Sequence, residues 1–420
     1  MSNPEERPAR SKDHSGGDHK KIGKELELFT FSDVVGKGLP LWLPKGAAIR
    51  RELERFIIDE EIKRGYLHVR TPDIAKLDLY KKSGHYPHYK DSMYAPIVID
   101  DEEFMLRPMT CPHHFELYLT KPRSYRDLPM RIAELAQLYR YEQSGELMGL
   151  LRVRAFCLSD AHIICRDEEQ AVDEIGKALD LIEFVCGVFG LKYGTDYKYA
   201  LSLGDRDNTE KYYKDDSGWD KAERLMEDLM DSRKIIYEKA KDDAAFYGPK
   251  IDVNMKNANG KEDTAFTVQY DLSSPTRFEL DYIGEDGKPH RAFVVHRSSI
   301  GAMERIVAFL IEKYMGAFPL WLAPVQVKVL PIGEGHFEYA KKVHQQLMEE
   351  GIRSELDESN ESLGKKIRNA KTEKVFYMLV IGDKEVSDNV VTVEGREEKL
   401  GTMSVDDFVS KVKEEIKRRG

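Results

Sequence analysis

The sequence predicts an α+β fold: an antiparallel sheet flanked by helices, followed by a separate C-terminal α/β domain. Three patterns carry this expectation. Strand-like stretches in the first three quarters of the chain outnumber the crossovers available to join them. Helical stripes stand near the start, in the middle and at the end of that region. Beyond Val325, strand and helix alternate.

Taken in order, residues 1–20 are polar, contain Pro, Gly and Ser, and show no periodicity, so they read as a disordered tail. From Gly46 onward, Ile49, Leu53, Phe56 and Ile57 share one helical face, and Gly65 stands at the stop. A strand over 66–71 then runs into Pro72. Stretches 130–142 and 151–166 read as two strands joined by QSGELMGL, whose glycines suit a hairpin connection. Asp167 is placed to cap a helix, with Gln170 three residues on and Val172, Ile175, Leu179 and Ile182 in step. Cys186 extends that stripe and reads as a core thiol. Further strands are expected around 265–271, 277–282 and 292–296, and Ile306, Leu310 and Tyr314 mark another helix. In the last segment VQVKVLPI and VFYMLVIG are buried-strand runs, 337–350 a helix ended by Gly351, and 405–416 a helix capped by Ser404. WLAPVQ is the junction, giving expected domains of 21–323 and 324–420, without internal repeats.

Composition narrows the class of function. A chain of 420 residues, 41% hydrophobic and 33% charged, is a soluble globular type large enough for two cores. No apolar run approaches the roughly 18 residues of a membrane span and no signal peptide opens the chain, so a cytoplasmic protein without membrane partners is expected. Four cysteines without a CxxC pair exclude a disulfide scaffold and require any metal site to mix residue types. The net charge of −10 argues against a generally basic coat, yet a local basic face suffices for nucleic-acid phosphates.

The chemistry concentrates in MRIAELAQLYRYEQSGELMGLLRVRAFCLSDAHIIC. On a strand Arg140 and Glu142 share one face, and Arg152 and Arg154 share a face of the returning strand. Such pairs are ordinarily surface salt bridges. GAMER adds Arg305 at a helix start, and no GxxxxGK loop is present to hold nucleotide phosphates. Arginines are then the available phosphate clamp, because their planar forks bind phosphate oxygens bidentately.

An ordered set of segments supports a closer reading. DHKKIGKELELF, LPLWLPKGAAIRRELERF, RGYLHVRTPDI, SGHYPHYKDSMY, RPMTCPHH, YRYEQSGELMGLLRVRAF, DAHIIC, AFYGPKID, VVHRSSIGAMERI and FPLWLAPVQVKVLPI follow one another from about Asp18 to the C-terminus. In this order they resemble the threonyl-tRNA synthetase family, a class II aminoacyl-tRNA synthetase family. The resemblance covers a catalytic core and an anticodon-binding domain, with the family's N-terminal editing region lacking.

The resemblance implies a ligase that activates L-threonine with ATP and Mg²⁺ and loads it onto threonine tRNA, working as a homodimer through the 46–72 region. It implies that Arg140 holds the ATP α-phosphate, Glu142 the adenine amino group and Arg152 the distal phosphates, while Phe156 and Arg305 sandwich the adenine. Cys111, His162 and His296 match the family's ligands for one Zn²⁺ per subunit. Taken alone they stand 51 and 134 positions apart, and a lone Cys or His is ordinarily structural. One thiolate and two imidazoles nevertheless suit zinc with an open position, which threonine's amino group and hydroxyl can fill. Asp160, Tyr247 and Gln269 are implied to face the amino acid, and His85 the terminal ribose of tRNA. In the C-terminal domain Asn360, Lys366, Arg368 and Glu385 match anticodon contacts. Serine differs from threonine by one methyl, so correction of mischarging is expected from an editing region outside this chain or from a separate deacylase.

The pattern departs at His113 and Ala155, where relatives often carry Gly, and at Asp263 and Thr264, often Trp and Gln. Ser359 and Glu394 fall where arginine is common. Two other readings stay open at this point: a related class II synthetase for serine or proline, and a synthetase-like protein without ligase activity.

Overall fold

The computed structural model describes residues 17–419. Residues 1–16 lie outside the described residues. Within the range expected as a tail, residues 17–20 are described, and there the Asp18 carboxylate accepts from the Lys20 N–H and caps helix α1 (His19–Glu25). Helix α2 (Pro44–Lys63) buries Ile49, Leu53, Phe56 and Ile57, and the chain then turns at Gly65, where φ is +80°.

The larger sheet contains β1 (Leu67–His68), β2 (Met130–Tyr139), β3 (Ala155–Cys165), β4 (Tyr197–Leu203), β5 (Tyr237–Lys241), β6 (Lys250–Lys256), β7 (Glu262–Asp271) and β8 (Phe293–Ser298). Their spatial order is β5-β4-β6-β7-β8-β3-β2-β1. All inner pairs are antiparallel, and the outermost pairs at the two edges, β5 with β4 and β2 with β1, are parallel. The expected strand over 66–71 is thus only two residues of edge pairing. Helices α3 (Cys111–Tyr118), α4 (Glu168–Val188), α5 (Asp216–Ser232) and α6 (Met303–Tyr314) belong to the same domain. The Asp167 side chain caps α4 by accepting from the Gln170 N–H at 2.8 Å, and Cys186 is buried in the α4 stripe.

One expected strand is corrected. Within 277–282 the chain is a short helix, Ser274–Phe278, followed by a separate strand, Asp281–Ile283. Pro275 preorganises the first helical turn, and the Asp271 carboxylate accepts from the Ser273 and Ser274 N–H groups at 2.8 Å.

Strand alternation gives the sheet two different faces. On β3, Cys157, Ala161, Ile163 and Cys165 point into the main core against α2, α4 and α6, while Phe156, Leu158, Asp160 and His162 line an open cleft. On β7, Phe266, Val268 and Tyr270 join the core and Thr267 and Gln269 the cleft.

The C-terminal unit has β9 (Val327–Pro331), α7 (Phe337–Glu349), β10 (Ser354–Leu356), α8 (Leu363–Thr372), β11 (Tyr377–Ile381), α9 (Asp383–Asp388), β12 (Val390–Gly395), β13 (Lys399–Ser404) and α10 (Val405–Arg418). Its sheet runs β10-β9-β11-β12-β13, parallel over the first three strands and antiparallel thereafter. The Ser404 hydroxyl caps α10 by accepting from the Asp407 N–H. Among the described residues no helix is long and apolar enough to cross a membrane.

Candidate active site

Register brings together what the sequence holds apart. Lys250 pairs with Gln269, Gln269 with His296, His296 with His162, and His162 with Ile132, in one row across β6, β7, β8, β3 and β2. Cross-strand partners share a face, so His162 and His296 meet although 134 positions separate them. Cys111, the first residue of α3, completes the group. The ligand atoms of Cys111, His162 and His296 all lie within 4.8 Å of one another.

The donor chemistry fits a zinc ion. His162 Nδ1 is 2.8 Å from His114 Nδ1, whereas its Nε2 is buried and has no partner. His296 Nε2 donates to Asp271 Oδ2 at 2.7 Å, which leaves Nδ1 for a ligand. Hydrogen bonds from His296 and Ser274 hold the Asp271 carboxyl below its usual range in spite of its burial. Burial, with the nearby Asp160 and Asp271 charges, pushes the Cys111 thiol well above its ordinary value. A bound cation favours the thiolate and reverses that balance.

Asp160 lies two residues before His162 on the same face, with Oδ1 3.9 Å from His162 Nε2. Burial raises its pKa. The Tyr247 ring stacks on His296 at 4.9 Å, and its hydroxyl donates to Gln269 Oε1. These groups share a cleft of about 490 Å³ with Arg140, Glu142, Arg152, Phe156 and Arg305.

The arginines converge from loops rather than from strand faces. β2 ends at Tyr139 and β3 begins at Ala155, so Arg140, Glu142 and Arg152 lie on the connection. The Arg140 guanidinium sits over the Phe156 ring, 5.2 Å from its centroid. Arg152 pairs with Glu142 at 2.8 Å. Arg305, near the start of α6, donates to the Leu151 carbonyl at 3.0 Å and the Thr264 carbonyl at 2.6 Å. Burial, then the Arg140 and Arg152 charges, lowers its pKa. Thr264 therefore holds an arginine through its main chain, whatever its side chain. His113 is buried, and burial with the Arg107 charge brings it down to about 4.

His85 is buried against Tyr89 and Tyr247, with Nε2 4.0 Å from Cys111 Sγ. Burial and the His296 ring lower its pKa to about 3. In the C-terminal domain Asn360 and Arg368 are exposed. Lys366 is 1% exposed, and its ammonium donates to the Pro331 and Asp357 carbonyls at 3.0 and 3.3 Å, so it is a framework group. Glu385 accepts from the Gly382 N–H and the Thr392 hydroxyl, which engages both of its oxygens. Glu394 pairs with Lys371 at 2.8 Å.

Sequence reasoning missed His114, Glu134 and Asp271, which surround the Cys/His cluster. The doubled histidine of CPHH was the one available signal.

A largely antiparallel sheet with an arginine-lined cleft, joined to a mixed α/β domain, defines a class. The chain belongs to the class II tRNA synthetase core family (G, H, P, S and T), whose profile matches residues 94–314, and an anticodon binding domain profile matches 326–415. Within that class its similarity runs to the threonine enzymes. It is 53% identical over 403 residues to threonine–tRNA ligase of Geobacillus sp. (strain WCH70), covering 96% of this chain and 62% of that protein. The Geobacillus kaustophilus (strain HTA426) relative is 52% identical, with 96% and 61% covered. The chain thus spans about three fifths of the length of these curated relatives. The crystal structure of the RNA binding domain of threonyl-tRNA synthetase from Cryptosporidium parvum Iowa II superposes with a TM-score of 0.88 at 36% identity, covering 94% of this chain and 98% of that one.

Proposed function

We propose that this chain activates L-threonine with ATP and transfers it to the 3′ end of threonine tRNA. The observation that carries the reading is a buried Cys111–His162–His296 cluster, with a partnerless imidazole nitrogen, in the same cleft as three arginines.

In this reading the threonine carboxylate attacks the ATP α-phosphorus and pyrophosphate leaves with Mg²⁺. Arg140 holds the α-phosphate and stabilises the charge that develops on it. Arg152 takes the distal phosphates, Glu142 the adenine amino group, and Phe156 and Arg305 the two faces of the adenine. Cys111, His162 and His296 would hold zinc, which would supply a Lewis acid for the amino group and hydroxyl of threonine. Asp160 accepts from that hydroxyl, and Tyr247 and Gln269 close the amino-acid side. His85, kept neutral by burial, assists proton removal from the terminal ribose hydroxyl of the tRNA.

Valine lacks the hydroxyl and leaves buried polar groups unpaired, a difference of roughly 10⁴ to 10⁵. Serine keeps it and loses one methyl, which is worth only roughly 10 to 200-fold. Seryl-tRNA is therefore removed by an editing activity elsewhere, in a further region or a separate deacylase. Residues 324–420 read the anticodon through exposed groups such as Asn360 and Arg368. Two copies pair through the 46–72 region, a reading supported by half-exposed Ile62 on α2 and Leu67 on the edge strand β1. The enzyme works in the cytoplasm.

The test is ATP–pyrophosphate exchange across amino acids, followed by charging of threonine tRNA. Threonine should drive exchange most strongly, serine more weakly, and valine and proline hardly at all. Exchange driven best by proline or serine, or none with any amino acid, refutes the reading.

A further inference from the structure

A chain of hydrogen bonds reaches His162 from the side away from the cluster. Glu134 on β2 is 3% exposed. Its carboxylate accepts from the Thr71 N–H at 3.1 Å, the Thr71 hydroxyl at 2.7 Å and the Arg107 guanidinium at 3.2 Å. An ionised carboxylate only accepts, so His114 Nε2, 3.3 Å from Glu134 Oε2, must carry a proton. In the neutral ring His114 Nδ1 is then a lone pair. It faces His162 Nδ1 at 2.8 Å, and that nitrogen must be the donor. What remains is a lone pair on His162 Nε2, the buried atom without a partner. A doubly protonated His114 would reverse the last bond. It would also put the His162 proton on Nε2, the atom that the zinc reading needs as a lone pair.

We propose that Glu134 and His114 are positioning residues for the metal site: they fix His162 in its Nδ1–H tautomer and so present Nε2 to the ion. The inference rests on the zinc reading above and adds to it two residues that do not touch the metal. Such orienting partners set ligand direction and basicity, and their loss typically weakens metal affinity roughly 10 to 100-fold.

The experiment is zinc competition against a chromophoric chelator, using the full chain and its His114→Leu and His114→Asn variants. Leucine removes the acceptor, whereas asparagine restores one near the Nδ1 position. His114→Leu should bind zinc roughly 10 to 100-fold more weakly and His114→Asn should recover most of the loss. Wild-type affinity in His114→Leu overturns the relay and leaves the zinc reading intact. Absence of zinc binding by the wild-type chain overturns both. If His114→Leu does not fold, ¹⁵N-histidine NMR of the zinc-bound wild type decides. His162 should show a protonated Nδ1 and a metal-bound Nε2, and a protonated Nε2 refutes the proposal.

Discussion

Gly301→Ala should damage both stability and nucleotide binding. Gly301 joins β8 to α6 at φ +72°, and a Cβ there falls 2.1 Å from the Ala265 carbonyl oxygen. Both partners are backbone, so the turn must retreat by about 1 Å to reach ordinary contact. A left-handed alanine costs about 1 to 2 kcal/mol. Retreat also stretches the 3.1 Å bond from the Ser159 N–H to the Gly301 carbonyl, about 1 kcal/mol more, and crowding adds at least about another. The sum is about 3 kcal/mol or more. The same shift carries α6, where Glu304 pairs with Arg50 at 2.8 Å and Arg305 grips the Leu151 and Thr264 carbonyls. Displacing a reacting geometry by about 1 Å costs on the order of 100-fold in rate. Urea unfolding and pyrophosphate exchange with ATP titrated would measure the two effects. Stability within about 1 kcal/mol of wild type, with an unchanged KM for ATP, would refute the reasoning.

Cys111→Ser and His296→Ala should each lose zinc or bind it greatly weakened, as measured by metal analysis after gel filtration; full occupancy in both removes the metal assignment. Arg140→Ala should depress pyrophosphate exchange by roughly 10² to 10³ and threonine binding much less, because a cation at the α-phosphate matters most as charge develops. Equal losses in the two assays would make Arg140 a general binding residue. Burial opposes ionisation of Glu134, yet its bonds with His114 and Thr71 and the Arg107 charge bring its carboxyl from 4.5 down to about 2. Its folded value lies below its unfolded one, so its stabilisation is complete above about pH 4.5 and is lost as pH falls toward 2. The urea-midpoint advantage of wild type over Glu134→Gln should shrink across that window, and a constant difference would contradict it.

Much of the fold was legible where one residue type has one job. The α2 stripe and the Asp167 cap of α4 follow from periodicity and from a carboxylate three residues before an orphan N–H. The helix at Ser274–Phe278 was not legible, because five residues are too few for a period and its strand-like neighbours dominate the window. β4 and β6 are short and, as in KIDVNMK, interrupted by charge, whereas α5 carries a helical stripe of Trp219, Ala222, Met226 and Met230 that the sequence reading passed over. At the site, the arginines could be found as a clamp wanting a ligand. The metal cluster could not be found from spacing, because strand register rather than sequence distance brings His162 to His296. Lys366 shows the converse: the resemblance marks it as an anticodon contact, whereas its ammonium faces two backbone carbonyls, an arrangement that no sequence pattern announces.

The row that joins His162 to His296 also sets a schedule. β8 must slot between β7 and β3 before the two imidazoles meet. A ribosome adding roughly 5 to 20 residues per second takes on the order of ten seconds to travel from one histidine to the other. Until then the emerging chain offers one thiol and one imidazole from this trio, too few to capture an ion firmly. A metal ion at this site would therefore be acquired last, by the assembled sheet, and its uptake would mark completion of the domain rather than its beginning. Slipping β8 by one position would turn Arg297 toward the cleft and His296 toward the helices. An ion bound at this place would thus report the correct pairing of strands that the ribosome makes far apart in time.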